Sequence, residues 1–168
     1  SLKAHAALVS QLEARSISRS YETLVHGAAE PSATIDAPIG RHPRERQRMA
    51  VVRSGKPAVS HYRRLRRFAH FSHLEVALET GRTHQIRVHL AHLGLPLVGD
   101  PVYGKRGGLR KDLAAAVRRT IADFPRQALH ARKLQFTHPH SGVESEYCAA
   151  LPQDIASVLE LLAREDAS

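Results

Sequence analysis

Leu74, Val76 and Leu78 alternate with Glu75, Ala77 and Glu79, the period-two pattern of a strand buried on one face. The preceding "AVSHYRRLRRF" predicts an antiparallel partner, joined to it near His70. At Gly81 the period changes to about 3.6. Ile86, Leu90 and Leu93 then recur at helical spacing until Gly94, with Thr83 as the predicted N-cap. Upstream, residues 2–15 predict a helix that carries Ala4, Leu8 and Leu12 on one face, and "SYETLVHG" predicts a strand closed by Gly27. Pro31, Pro38, Gly40 and Pro43 predict a broken, loop-rich passage, followed by a short strand at "MAVV" and a turn at "SGKP". Downstream, "LPLVGDPVYG" reads as a compact loop and residues 109–123 as a helix. "ALHARKLQFTH" and "VESEYCAAL" read as a hairpin across "PHSG", and "PQDIASVLELLARE" as a final amphipathic helix with Pro152 near its start. Strands and helices mix without βαβ regularity. The predicted class is α+β, a mixed, mostly antiparallel sheet flanked by helices.

Composition narrows the setting. At 168 residues and 42% apolar content the chain suits one domain with a real core. There is no internal repeat, and no apolar run approaches membrane-spanning length. A single cysteine, Cys148, fits a reducing compartment, so a cytoplasmic protein is expected. Ser1 is not an initiator methionine and the helical pattern begins at once, as expected of a piece of a longer protein or of a chain from which a tag was removed. The net charge of +9 is concentrated: between Arg41 and Arg67, nine arginines and Lys56 face one acid, Glu45. Such an excess is costly in self-repulsion unless a polyanion or solvent relieves it. Arginine's planar fork suits phosphate, which favours nucleic acid over a merely solvated face.

The segment "LETGRTHQIRVHLAHLGLPLVGDPVYG" raises a sharper question. Arg87 falls about one turn into its helix, where the macrodipole disfavours a cation by roughly 0.3–1 kcal/mol. It lies one residue round from the Ile86 face, so its head should emerge at the edge of the core. Two readings stay open: a guanidinium paired with a carboxylate or phosphate, or a packed stem whose head reaches water. His84, His89 and His92 suggest surface or core-edge histidines rather than a metal site, since no cysteine or carboxylate completes a ligand set. Tyr21 reads by itself as a half-buried strand tyrosine.

The same segment, with "ISRSYETLVHG", "GRHPRERQRMAV", "GKPAVSHYR" and "RQALHARKLQFTHPHSGVESEYCAALPQD" in order, resembles the RluA-type pseudouridine synthases over nearly the whole chain. The resemblance is strongest to the RluD-like branch, which modifies large-subunit ribosomal RNA. It implies isomerisation of uridine in structured RNA by a nucleophilic aspartate, with no metal or organic cofactor. It implies that Arg87 pairs with that aspartate and that Tyr21 stacks on the target base and takes its proton. Leu129 would line the uracil pocket, Arg82 and His84 would contact substrate, and Arg41, His42, Arg44, Arg46, Arg48 and Lys56 would grip the RNA. The family's His-Arg-Leu-Asp motif is not among these residues. Asp100, in "VGDPVYG", belongs to another family element and reads as a turn former. Residues 1–168 are therefore expected to be the C-terminal portion of a catalytic domain, without the aspartate motif or an N-terminal RNA-binding domain, and inert alone. The alternative is a non-catalytic RNA-binding or ribosome-assembly module.

Overall fold

In chain order the elements are α1 (Leu2–Glu13), β1 (Ser18–His26), β2 (Ser32–Asp36), β3 (Ile39–Arg41), β4 (Met49–Val51), β5 (Val59–Arg67), β6 (Phe71–Leu78), α2 (Gln85–His92), α3 (Ala115–Ala122), β7 (Leu129–Thr137), β8 (Glu144–Cys148) and α4 (Gln153–Asp166). They come from a computed structural model, which describes residues 1–14, 16–105 and 107–167. Six strands form one sheet in the order β2-β5-β6-β1-β7-β8, and β3 and β4 form a separate hairpin. Every paired strand is antiparallel. The α+β expectation holds.

The pleat divides the core. Tyr62, Leu74 and Val76 line one face and receive Ile86 and Leu90 of α2. Leu24 and Phe71 point to the other face, where Val117 and Ile121 of α3 meet Ile155, Val158 and Leu162 of α4. The helices on the two faces account for the buried run Thr23-Leu24-Val25 at the centre of β1, which is covered from both sides. By contrast, α1 has no buried residue. Gln11 ties it to the end of β7, donating from Nε2 to the Thr137 carbonyl at 2.7 Å and accepting from the Thr137 N–H at 2.9 Å.

Four expectations need correction. The proline-rich passage contains β2 and β3, because Ala33 and Ile35 alternate inward and Pro31 and Pro38 bracket an edge strand without interrupting it. The helix expected over 109–123 covers only Ala115–Ala122. Arg110 and Asp112 form a bidentate ion pair at 2.9 and 2.7 Å, and a helix does not bring residues two apart together. Thr83 is not the N-cap: α2 starts one residue later than predicted, after His84. Leu93 is 44% exposed at the C-cap, and Leu95 is buried instead once Gly94 turns the chain at φ 75°. The helix predicted over 2–15 ends at Glu13, and its last predicted position, Arg15, lies outside the described residues.

Candidate active site and nucleic-acid face

Gln85, the first residue of α2, is 2% exposed and spends its whole amide on β5 and on the turn that leads into the helix. Its Oε1 accepts from the Thr80 hydroxyl at 2.8 Å and the Arg82 N–H at 2.9 Å. Its Nε2 donates to the Val59 carbonyl and to Ser60 Oγ, both at 2.9 Å. These bonds pin the start of the helix to β5. They also force the turn before it: His84 has φ 56°, the only left-handed non-glycine among the described residues.

With that start fixed, Arg87 projects into the "GDPVYG" loop. Its Nε and Nη2 donate to Asp100 Oδ2 and Oδ1 at 2.7 and 2.8 Å, and the two side chains are 10% and 0% exposed. Asp100 Oδ1 also accepts from the Val102 and Tyr103 N–H groups at 2.9 and 3.0 Å. Burial alone would raise the Asp100 pKa. The Arg87 hydrogen bonds and the two backbone donors outweigh it and hold the carboxyl below its usual range. The same hydrogen bonds push Arg87 up. Of the two readings open in the sequence, the carboxylate partner is the one realised, and Arg87 does not reach for water. Asp100 is a turn former, as expected, and is also that partner.

Tyr103 closes the node. Its ring lies under the Arg87 guanidinium, 4.9 Å from the centroid, and near that of Arg48 at 5.4 Å. Its hydroxyl accepts from the Met49 N–H at 3.0 Å and bonds His84 Nδ1 at 2.9 Å. One phenol therefore joins the β3–β4 hairpin, the turn before α2 and the Arg87–Asp100 pair. Sequence reasoning missed Gln85 and Tyr103. The only available signal was their position, one at the change of period and the other three residues past the Asp100 turn.

Tyr21 and Leu129 meet on the sheet. Tyr21 pairs across β1 with Val76 and Ala131, and Leu129 pairs with Thr23, which puts both on the face that receives α2. Both pack half-buried against the apolar cluster that contains Ile86. Tyr21 also lines an open cleft of about 260 Å³ with Arg19, Leu134 and Tyr147. Arg19 was not anticipated. Its Nε is buried without a hydrogen-bond partner, and its guanidinium lies so close to Gly81 that an added Cβ would sit 3.0 Å from Nη2. Arg82 donates from Nε to the Pro57 carbonyl at 2.9 Å. His89 is fully buried, with Nδ1 on Ser60 Oγ and Nε2 on the Ala37 carbonyl, both at 2.8 Å, so both of its nitrogens are engaged inside the fold.

The basic segment divides into spent and available charges. At the tip of the β3–β4 hairpin, His42 Nδ1 accepts from the Arg44 and Glu45 N–H groups, and Arg41 Nη1 donates to the Arg46 carbonyl at 3.2 Å. Arg48 pairs with Glu45 at 3.0 Å, Arg63 with Glu75 at 2.8 Å, and Arg64 donates to the Ala29 carbonyl. Arg41, Arg44, Arg46, Arg53, Lys56, Arg66 and Arg67 stay exposed. The surface open to a polyanion thus loses a few of the ten charges and extends from the hairpin, through Arg53 and Lys56, to the Arg66–Arg67 end of β5.

The stretch from α1 through α2, residues 1–92, matches the family described as RNA pseudouridylate synthase, and the chain belongs to that family. It is 55% identical over 165 residues to the protein named Ribosomal large subunit pseudouridine synthase D of Pseudomonas aeruginosa, covering 98% of this chain and 51% of that one. The Escherichia coli K12 protein of the same name is 49% identical over 155 residues, covering 92% of this chain and 48% of that one. The chain spans about half the length of these curated relatives. Among solved structures it resembles Human RNA Pseudouridylate Synthase Domain Containing 1, with a TM-score of 0.69 at 26% identity, over 94% of this chain and 70% of that one. Its likeness to Human RNA Pseudouridylate Synthase Domain Containing 4 is one of fold alone, with a TM-score of 0.74 at 22% identity over 94% and 67%. No described helix is long and apolar enough to cross a membrane.

Proposed function

We propose that these residues form the larger part of the catalytic domain of a cytoplasmic enzyme that isomerises uridine to pseudouridine in large-subunit ribosomal RNA. The observation that carries the reading is the meeting of Tyr21 and Leu129, far apart in the chain, on the sheet face that receives α2. Supporting it, the two curated relatives quoted above carry names of that activity. A target base lifted from the RNA stack, at a cost of a few kcal/mol, would lie on Tyr21 with Leu129 at its edge. Tyr21 would then take the proton released as the base rejoins the sugar through carbon, and Arg82 would contact the same nucleotide.

Asp100 is unfit to be the nucleophile, because Arg87 and two backbone N–H groups saturate its buried carboxylate. The nucleophilic aspartate is proposed to come from a segment outside these residues. Arg87 would receive it through Nη1, the guanidinium nitrogen that Asp100 leaves free. Arg41, His42, Arg44, Arg46, Arg48 and Lys56 form the proposed RNA grip, with Arg44, Arg46 and Lys56 presenting charge directly and His42 shaping the tip.

The deciding experiment measures tritium release from 5-tritiated uridine in ribosomal RNA, because the C5 hydrogen leaves when C5 bonds the sugar. It is run on this chain and on a form extended upstream through a family aspartate motif. Release by the extended form alone is the expected result. No release by either, with tight salt-sensitive RNA binding by both, would favour a binding module built on the exposed hairpin arginines.

A further inference from the structure

The hydroxyl of Tyr103 has one proton and two neighbours. Met49 N–H donates to it at 3.0 Å, so the hydroxyl's own proton is free for His84 Nδ1 at 2.9 Å. An Nδ1 that accepts leaves the ring proton on Nε2. Among the described residues Nε2 has no partner, and the His84 side of the turn is exposed. Burial first and the positive charge of Arg87 second hold the imidazole below its ordinary pKa, which favours the neutral ring. The edge-on contact with Tyr103, at 5.5 Å between centroids and 71° between planes, fixes the ring's direction. The Gln85 hydrogen bonds that hold the His84 backbone at φ 56° also fix where its side chain leaves the turn.

We infer that His84 is a neutral hydrogen-bond donor to the target nucleotide, its Nε2–H aimed by Tyr103 at an acceptor oxygen, either a uracil carbonyl or an adjoining phosphate oxygen. The assignment rests on the functional reading above and gives it a tautomer and a direction. It makes Tyr103 a positioning residue. Because Met49 begins β4 of the basic hairpin, RNA seated on that hairpin and the donor beside Arg87 share one hydroxyl.

Two measurements test this. On the present chain, long-range proton–nitrogen NMR of labelled histidines, assigned with His84→Asn, should show His84 Nδ1 unprotonated and Nε2 protonated. Tyr103→Phe should convert that single form into a mixture. A protonated Nδ1 in the parent chain overturns the inference. In the upstream-extended form, His84→Asn keeps a residue tolerant of the left-handed turn and removes the reaching donor. It should lower kcat/KM roughly tenfold with melting temperature unchanged, and His84→Gln, whose amide reaches further, should recover part of the loss. RNA carrying a thiocarbonyl at the target base or a phosphorothioate beside it identifies the oxygen: the penalty at the correct atom disappears in His84→Asn. Turnover of His84→Asn within twofold of the parent sinks the donor role alone. An extended parent that releases no tritium sinks the functional reading and this one with it.

Discussion

The foot of α2 and the β3–β4 hairpin are both rich in arginine, and they handle charge in opposite ways. At the foot of α2 the charge is withdrawn from water and satisfied by a partner 13 residues along the chain. At the hairpin the partners are three to five residues away or, among the described residues, missing; Arg41, Arg44 and Arg46 face solvent and only Arg48 is partly covered, by Tyr103. A buried, geometrically fixed cation can direct chemistry but contributes little to capture of a long polyanion. Exposed, loosely held cations do the reverse, because their affinity comes from counterion release. Tyr103 touches both regions, which is why a change at one can be felt at the other.

The largest effect should come from separating the buried pair. Asp100→Ala strands a desolvated guanidinium and removes the acceptor for two backbone donors, so denaturant unfolding should show a loss of about 3–5 kcal/mol. The double variant Arg87→Met with Asp100→Leu should lose markedly less, since it leaves no charge unpaired. Acid titration offers a second view. The Asp100 carboxyl is lowered in the folded state, so its contribution is fully present above the ordinary carboxylate pKa and lost as pH falls through the lower folded value. A stability loss already complete near neutral pH would contradict the pairing. Next in size is Gln85→Leu, which removes four hydrogen bonds and takes the acceptor from the Arg82 N–H, and should cost roughly 1–3 kcal/mol by the same measurement.

The hairpin should respond to a different measurement. Arg44→Ala with Arg46→Ala should leave unfolding within about 0.5 kcal/mol of the parent. RNA affinity should fall roughly tenfold, and the slope of log affinity against log salt by about one unit per arginine. Unchanged RNA binding would move the nucleic-acid face elsewhere on the molecule.

The same contrast explains what could be read from the chain. The hydrophobic periods located β5, β6, β7, β8, α2 and α4, because burial on one face repeats every second residue or every third to fourth. The Asx-type turn at Asp100 was legible too, being local. Its pairing with Arg87 was not, because it depends on the loop folding back over α2, and no period encodes that. Gln85 was invisible for a related reason: a polar residue beside Ile86 looks solvent-facing until the strand ends that it bonds are in place. The charge excess of the basic segment was plain from composition. Which charges are spent depended on cross-strand register, such as Arg63 opposite Glu75.

That last pair supplies the smallest prediction and a check on the distinction between the regions. Arg63 and Glu75 meet at 2.8 Å, much like Arg87 and Asp100, so distance alone would rank the pairs as equals. Their surroundings differ. The Arg63 side chain is 65% exposed, so water and salt screen the attraction and both ions remain largely hydrated when apart. A double-mutant cycle of Arg63→Ala and Glu75→Ala should therefore give a coupling of about 0.2–1 kcal/mol that shrinks as salt is raised. The Arg87–Asp100 coupling should be several times larger and nearly insensitive to salt. Equal couplings in the two cycles would mean that burial does not separate these regions.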